Sequence, residues 1–90
     1  MTIAAYFHTK NMTLADFEEV HRRLVAIGQG DPPGRLHHSC FGEGDSLMVY
    51  EVWDTQAALD EFGQRLMPVL QEHQIDPGQP QVMSVVNLLP

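Results

Sequence analysis

The run over residues 46–62, SLMVYEVWDTQAALDEF, constrains this chain most, because it must change backbone conformation within one or two residues. Residues 47–53 alternate and are rich in side chains that suit a pleated surface (Val49, Tyr50, Val52, Trp53), so they read as a strand. Asp54 or Thr55 then offers an oxygen to the first free N–H groups of a helix. Beyond that cap, Leu59, Phe62, Leu66 and Val69/Leu70 recur at helical spacing. A strand that ends in tryptophan and passes straight into an amphipathic helix sets a large ring at the hinge between sheet and helix, where a pocket can open.

The other segments assemble around that unit. Residues 3–9 read as a strand. Thr13 is a good N-cap, and Asp16 three residues later is a weaker version of the capping-box acid. The helix behind it carries Leu14, Phe17, Val20/His21, Leu24 and Ile27 on one side and Asp16, Glu18, Glu19, Arg22 and Arg23 largely on the other. Gly28 suits the left-handed residue past a helix end. Residues 30–34, GDPPG, form a turn-rich loop. Residues 35–41 are a second strand, joined to the strand at Leu47 by a short hairpin loop over 42–46. Symmetric closure of that loop sets Phe41 opposite Leu47, Ser39 opposite Val49 and His37 opposite Glu51. The other face then pairs Cys40 with Met48 and His38 with Tyr50; a slip of one residue exchanges the faces. The second helix runs to about His73. Gly63 weakens it and Pro68 removes one backbone bond, which predicts two helical pieces or one kinked helix. Residues 75–81 are a loop and 82–89 a last strand.

The order βαββαβ over residues 1–90 predicts a single α+β domain of ferredoxin-like arrangement, a four-stranded antiparallel sheet with both helices on one face. The last strand is apolar on both faces apart from Ser84 and Asn87, and Ile3, Ala4, Ala5, Tyr6 and Phe7 are similar. Helices cover one face only, so a second copy is expected to cover the other, making a homodimer through the sheet. Five Lys and Arg against twelve Asp and Glu give a net charge of −7, which disfavours nucleic-acid backbones as partners. No apolar run of about 18 residues is present, so no membrane-spanning helix is expected. The first residues lack the basic segment of a secretion signal, and a cytoplasmic location is the expectation. The lone cysteine, Cys40, cannot form an intrachain disulfide and reads as a small buried hydrophobe.

The element order, together with Val52-Trp53-Asp54-Thr55 leading into Ala58-Leu59 and Phe62, resembles the dimeric α+β barrel superfamily. Within it, the early Tyr6, Met12-Thr13 at the helix start and the closing Asn87-Leu88-Leu89 resemble a bacterial branch of the small antibiotic-biosynthesis-monooxygenase-like proteins. The resemblance spans essentially the whole chain. It implies a barrel closed across a dimer, with a ligand between each sheet and its own helices and Trp53 lining that pocket. It leaves the reaction open, since such proteins include cofactor-free oxygenases, haem-degrading oxygenases, lactone isomerases, polyketide cyclases and members of no known activity.

The residues narrow the chemistry. There is no glycine-rich phosphate loop, paired-cysteine motif or His-Glu-x-x-His, so no resident cofactor or metal is expected. His37 and His38 are strand neighbours that point to opposite faces, so they cannot readily share a metal; either one, facing a pocket, is a candidate general base. Equally, each reads as a strand histidine bonded to a neighbour. Glu51, an acid in an apolar strand, is either wet at an edge or paired with a histidine. Tyr6 and His8 lie on one side of the first strand as candidate polar orienters, and Trp53 is a candidate wall as well as a core anchor. His73 lies near the place where haem-degrading relatives hold iron, and also reads as a surface residue at a fraying helix end. His21 falls at the boundary of the first helix's apolar stripe. Asn87 in an apolar strand must find partners, structural or in a substrate.

Three functions follow as expectations. The first is a cofactor-independent monooxygenase, cyclase or isomerase for a small aromatic or polyketide-like molecule. The second is a non-catalytic dimeric binding module whose pocket is filled by Trp53, Tyr6 and Phe62. The third is a haem-binding or haem-degrading protein using His73. An open cavity reached by a histidine separates the first from the second.

Overall fold

The structure, a computed structural model, describes residues 1–90. Its elements are β1 (Ile3–His8), α1 (Leu14–Ala26), β2 (Arg35–Phe41), β3 (Met48–Trp53), α2 (Gln56–Glu72) and β4 (Gln81–Ser84). The four strands form one antiparallel sheet in the order β2-β3-β1-β4, the ferredoxin-like arrangement that the element order predicts. Strand alternation divides the side chains. Ile3, Ala5 and Phe7 of β1 and Val49, Glu51 and Trp53 of β3 turn toward the helices. Ala4, Tyr6 and His8, with Met48, Tyr50 and Val52, turn away.

Each helix starts where its cap residue stands. Both legs of the first capping box are made: Asp16 N–H donates to Thr13 Oγ1 at 3.2 Å, and Thr13 N–H donates to Asp16 Oδ2 at 3.0 Å. Thr55, rather than Asp54, caps α2 by accepting from Ala58 N–H at 3.1 Å. Val20 and Leu24 of α1 and Phe62, Val69 and Leu70 of α2 are buried on the sheet, around a fully buried Trp53. Leu14 and Ile27, at the ends of the expected stripe, are exposed. Helix α2 is a single element through Pro68, whose side chain is exposed; only the backbone bond to the carbonyl of Gln64 is forgone.

Two local expectations are corrected. The β2–β3 register is one residue away from symmetric closure: Phe41 pairs with Met48, Cys40 with Val49, Ser39 with Tyr50, His38 with Glu51 and His37 with Val52. Leu47 is the cause. Its N–H donates to Met12 O (3.1 Å), and its carbonyl accepts from Thr9 N–H (3.1 Å) and Thr9 Oγ1–H (2.7 Å), so it is bound to the β1–α1 connection and unavailable to Phe41. The strand over 82–89 is likewise shorter than expected. Its ladder ends where Ser84 meets Ile3, and beyond it Val85 N–H makes one bond to Thr2 O. The segment 86–90 is exposed.

Two glycines are fixed by their surroundings. Gly34 has φ +87, and a Cβ there would lie 2.6 Å from Asp54 Oδ1 and 2.7 Å from Ala58 Cβ, so the loop docks against the start of α2 and delivers Arg35 to the sheet. Gly78 has φ +72 and passes so close to β1 that a Cβ would lie 2.6 Å from His8 O. Nearby, Asn11 clamps the α2–β4 connection with both ends of its amide, donating to Gln74 O and accepting from Asp76 N–H, each at 2.8 Å.

Candidate functional site

A cavity of about 610 Å³ lies between the sheet and the two helices. Phe7, Val49 and Glu51 line it from the central strands, Phe17, Val20 and Leu24 from α1, and Leu59, Leu66 and Leu70 from α2. Ile75 and Pro77, in the connection that Asn11 clamps, and Val82 of β4 line it as well. The lining is chiefly apolar, and two of its polar side chains, His38 and Arg35, meet on one carboxylate.

That carboxylate is Glu51, in the middle of β3 and buried. The register sets His38 directly opposite, and His38 Nδ1 stands 2.7 Å from Glu51 Oε2. Trp53, two residues along the same face of β3, donates its indole N–H to Glu51 Oε1 at 3.1 Å. Arg35, at the start of β2, places Nη1 3.5 Å from Glu51 Oε2. Its Nη2–H donates to Gly30 O at 3.0 Å, and its guanidinium carbon sits 5.7 Å from the centre of the Phe62 ring. A buried carboxylate requires partners for both oxygens, and these three side chains supply them.

This arrangement fixes the imidazole. In the neutral ring, the nitrogen facing a carboxylate must carry the proton, so Nδ1–H donates to Glu51 and Nε2 keeps its lone pair. Nε2 has no hydrogen bond within the chain. Phe17 stacks on the His38 ring, with centroids 5.7 Å apart and planes inclined by 15°, and His21 continues the stack outward at 6.3 Å from Phe17. A histidine oriented by a carboxylate, held flat by an aromatic ring and facing an apolar cavity is equipped to take a proton from a bound molecule and give it back.

The other sequence candidates fall elsewhere. His37 is exposed on the helix-free side of the sheet, where its Nε2 lies 3.2 Å from Ser39 Oγ and its ring is tilted against Tyr50. Glu51 therefore stands opposite His38 rather than His37, and Tyr50 opposite Ser39 rather than His38. Tyr6 and His8 share the helix-free side by strand alternation and do not line the cavity. Trp53 does not line it either. It is buried beneath, 5.3 Å from the Phe62 ring, and reaches the site only through its bond to Glu51. His73 caps the end of α2 outside the cavity lining, with its Nε2 buried and unpartnered. Asn87 is exposed beyond β4, so no apolar strand forces it to find partners. Cys40 packs against the core, and burial pushes its thiol pKa up, away from the reactive thiolate.

Sequence reasoning overlooked Arg35 and gave Phe17 a place only in the apolar stripe of α1. The signal for Arg35 was available, since it is one of only five Lys and Arg residues and opens the strand that pairs with Glu51.

No protein-family model and no curated protein matches the sequence. Solved structures do match over nearly its full length. MupZ from Pseudomonas fluorescens superposes with a TM-score of 0.68 at 16% identity, over 90% of this chain and 69% of that one. SnoaB, a cofactor-independent oxygenase from Streptomyces nogalater, gives 0.62 at 21% identity, over 99% and 95%. A candidate antibiotic biosynthesis monooxygenase from Caulobacter crescentus CB15 gives 0.65 at 19% identity, over 96% and 91%. The chain has the fold of the antibiotic-biosynthesis-monooxygenase-like proteins. At these identities the likeness is one of fold, and the chemistry rests on this chain's own residues. Within that fold, the Glu51-centred cluster lies on the helix-facing side of the sheet, and no helix of the chain is long and apolar enough to cross a membrane.

Proposed function

We propose that this protein is a cofactor-independent oxygenase for an electron-rich aromatic or polyketide-like molecule, with His38 as its general base. The observation that carries this reading is the 2.7 Å contact of His38 Nδ1 with buried Glu51 inside an open, apolar cavity. A module filled by its own side chains has no such opening. His38 Nε2 removes a proton from the keto tautomer of a phenol, and the imidazolium that forms is stabilised by Glu51. The substrate anion delivers electrons to dioxygen and a carbon–oxygen bond forms. The resulting hydroperoxide is protonated and loses water, leaving a carbonyl. One dioxygen is consumed, and a ring CH₂ becomes C=O plus water. The structural likeness to SnoaB, a cofactor-independent oxygenase, supports dioxygen over cyclisation as the fate of the anion.

An oxygen electrode with a panel of polycyclic phenols and their keto tautomers tests the reading. It predicts uptake of one dioxygen per substrate with chelator present and no flavin or haem added. Uptake no faster than autoxidation across the panel contradicts it.

The proposal includes a second copy of the chain over the helix-free sheet face, where Tyr6, Phe41, Met48, Tyr50 and Met83 stand with no element above them. The isolated chain has an accessible surface of 5708 Å², against about 5,300 Å² for a compact monomer of its mass. Phe41 and Met83 are 45% and 63% exposed. Light scattering at micromolar concentration should return twice 10.1 kDa. A monodisperse species of one chain's mass contradicts this assembly.

A further inference from the structure

Helix α2 contains a glycine that its own backbone does not need. Gly63 lies in the interior of the helix, where glycine costs about 1 kcal/mol relative to alanine. It is not among the residues of positive φ, so alanine could adopt its conformation. Nothing lies within 4 Å of where its Cβ would stand, so no neighbour demands the missing side chain. Gly63 does line the cavity. Leu59 and Asp60, one turn before it, and Leu66 and Met67, one turn after, line the same space, so the glycine interrupts the cavity-facing stripe of α2 midway. Gly63 thus leaves the cavity-lining face of α2 without a side chain at this turn.

We infer that Gly63 sets the width of the ligand: it lets a fused-ring phenol lie against the bare backbone of α2 while its oxygenated edge meets His38. The inference rests on the reading of this cavity as the substrate site, and it makes the ligand's breadth at Gly63 the feature that the site selects. The size of the space supports this. About 610 Å³ lies within the ~300–1,000 Å³ of pockets that hold drug-sized ligands, and one phenol ring leaves most of it empty.

Binding tests this without turnover. The probes are 1,8-dihydroxyanthraquinone, with three rings, and 1-naphthol, with two, titrated against the fluorescence of Trp53, the single tryptophan. Gly63→Ala should raise Tm by about 4 °C through helix propensity while weakening the three-ring probe roughly threefold. Gly63→Leu should weaken the three-ring probe about tenfold or more and leave 1-naphthol within about twofold. Gly63→Ala decides the matter if the leucine variant does not fold. A wild-type protein that does not bind the three-ring probe overturns the inference. So does either variant binding it as tightly as wild type, or losing both probes alike. Probe binding with the predicted size dependence but no oxygen uptake retires the oxygenase and leaves the role of Gly63 intact.

Discussion

His38→Ala is expected to lower the rate of oxygen uptake by about 10²–10⁴-fold, the range that a positioned general base supplies. The fold should survive it. The imidazole side chain is 26% exposed, and without it Glu51 keeps Arg35 and Trp53 as partners. Tm should therefore stay within about 4 °C of wild type. His37→Ala is the matched control, since that ring lies on the opposite sheet face and its removal should leave the rate unchanged. Initial rates at saturating substrate separate the two variants. A His38→Ala enzyme with wild-type turnover removes the proton-transfer step from the account.

Glu51→Gln should lose both stability and turnover. The amide keeps the volume of the carboxylate but not its charge, which leaves the guanidinium of Arg35, whose side chain is 13% exposed, without a counter-ion. Breaking a buried pair by removing one partner costs about 3–5 kcal/mol, which for a domain of this size is a fall in Tm of about 15 °C or more. The amide can still accept from the Trp53 indole N–H, but its NH₂ then faces His38 Nδ1, which accepts only with the ring proton on Nε2, so the free base is lost from the cavity side. Adding Arg35→Met to Glu51→Gln removes the stranded charge and should recover part of the loss, although turnover stays low because His38 is no longer oriented. Thermal melts and oxygen uptake on the two variants check this. An unaltered Tm in Glu51→Gln means that the Arg35 contact at 3.5 Å is not a working ion pair.

The fold was legible because local preferences and the global arrangement agree. Thr13 and Asp16 cap α1 reciprocally, Thr55 caps α2, and the alternation of β3 passes into helical spacing where the strand ends. The site was only half legible. Glu51 stood out as an acid among apolar neighbours, and the two adjacent histidines marked the base. Which of them faces Glu51 depends on a single residue of register, and that residue is decided outside the hairpin, by Leu47 bonding to Thr9 and Met12. No reading of the hairpin by itself contains that contact. Tyr6 and His8 were placed in the site on residue type, but the period of β1 turns Ile3, Ala5 and Phe7 inward and those two outward. Trp53 was recognised as the hinge ring, yet its contribution is made through one hydrogen bond to Glu51 rather than as a wall.

Everything functional here depends on His38 presenting an unprotonated Nε2 to the cavity while Nδ1–H is held by Glu51. Long-range proton–nitrogen correlation NMR of the ¹⁵N-labelled protein, at a pH where the ring is neutral, reads that arrangement directly. The account predicts the Nδ1–H tautomer for His38, shifting toward Nε2–H in Glu51→Gln. A His38 ring protonated on Nε2 in the folded wild-type protein contradicts it.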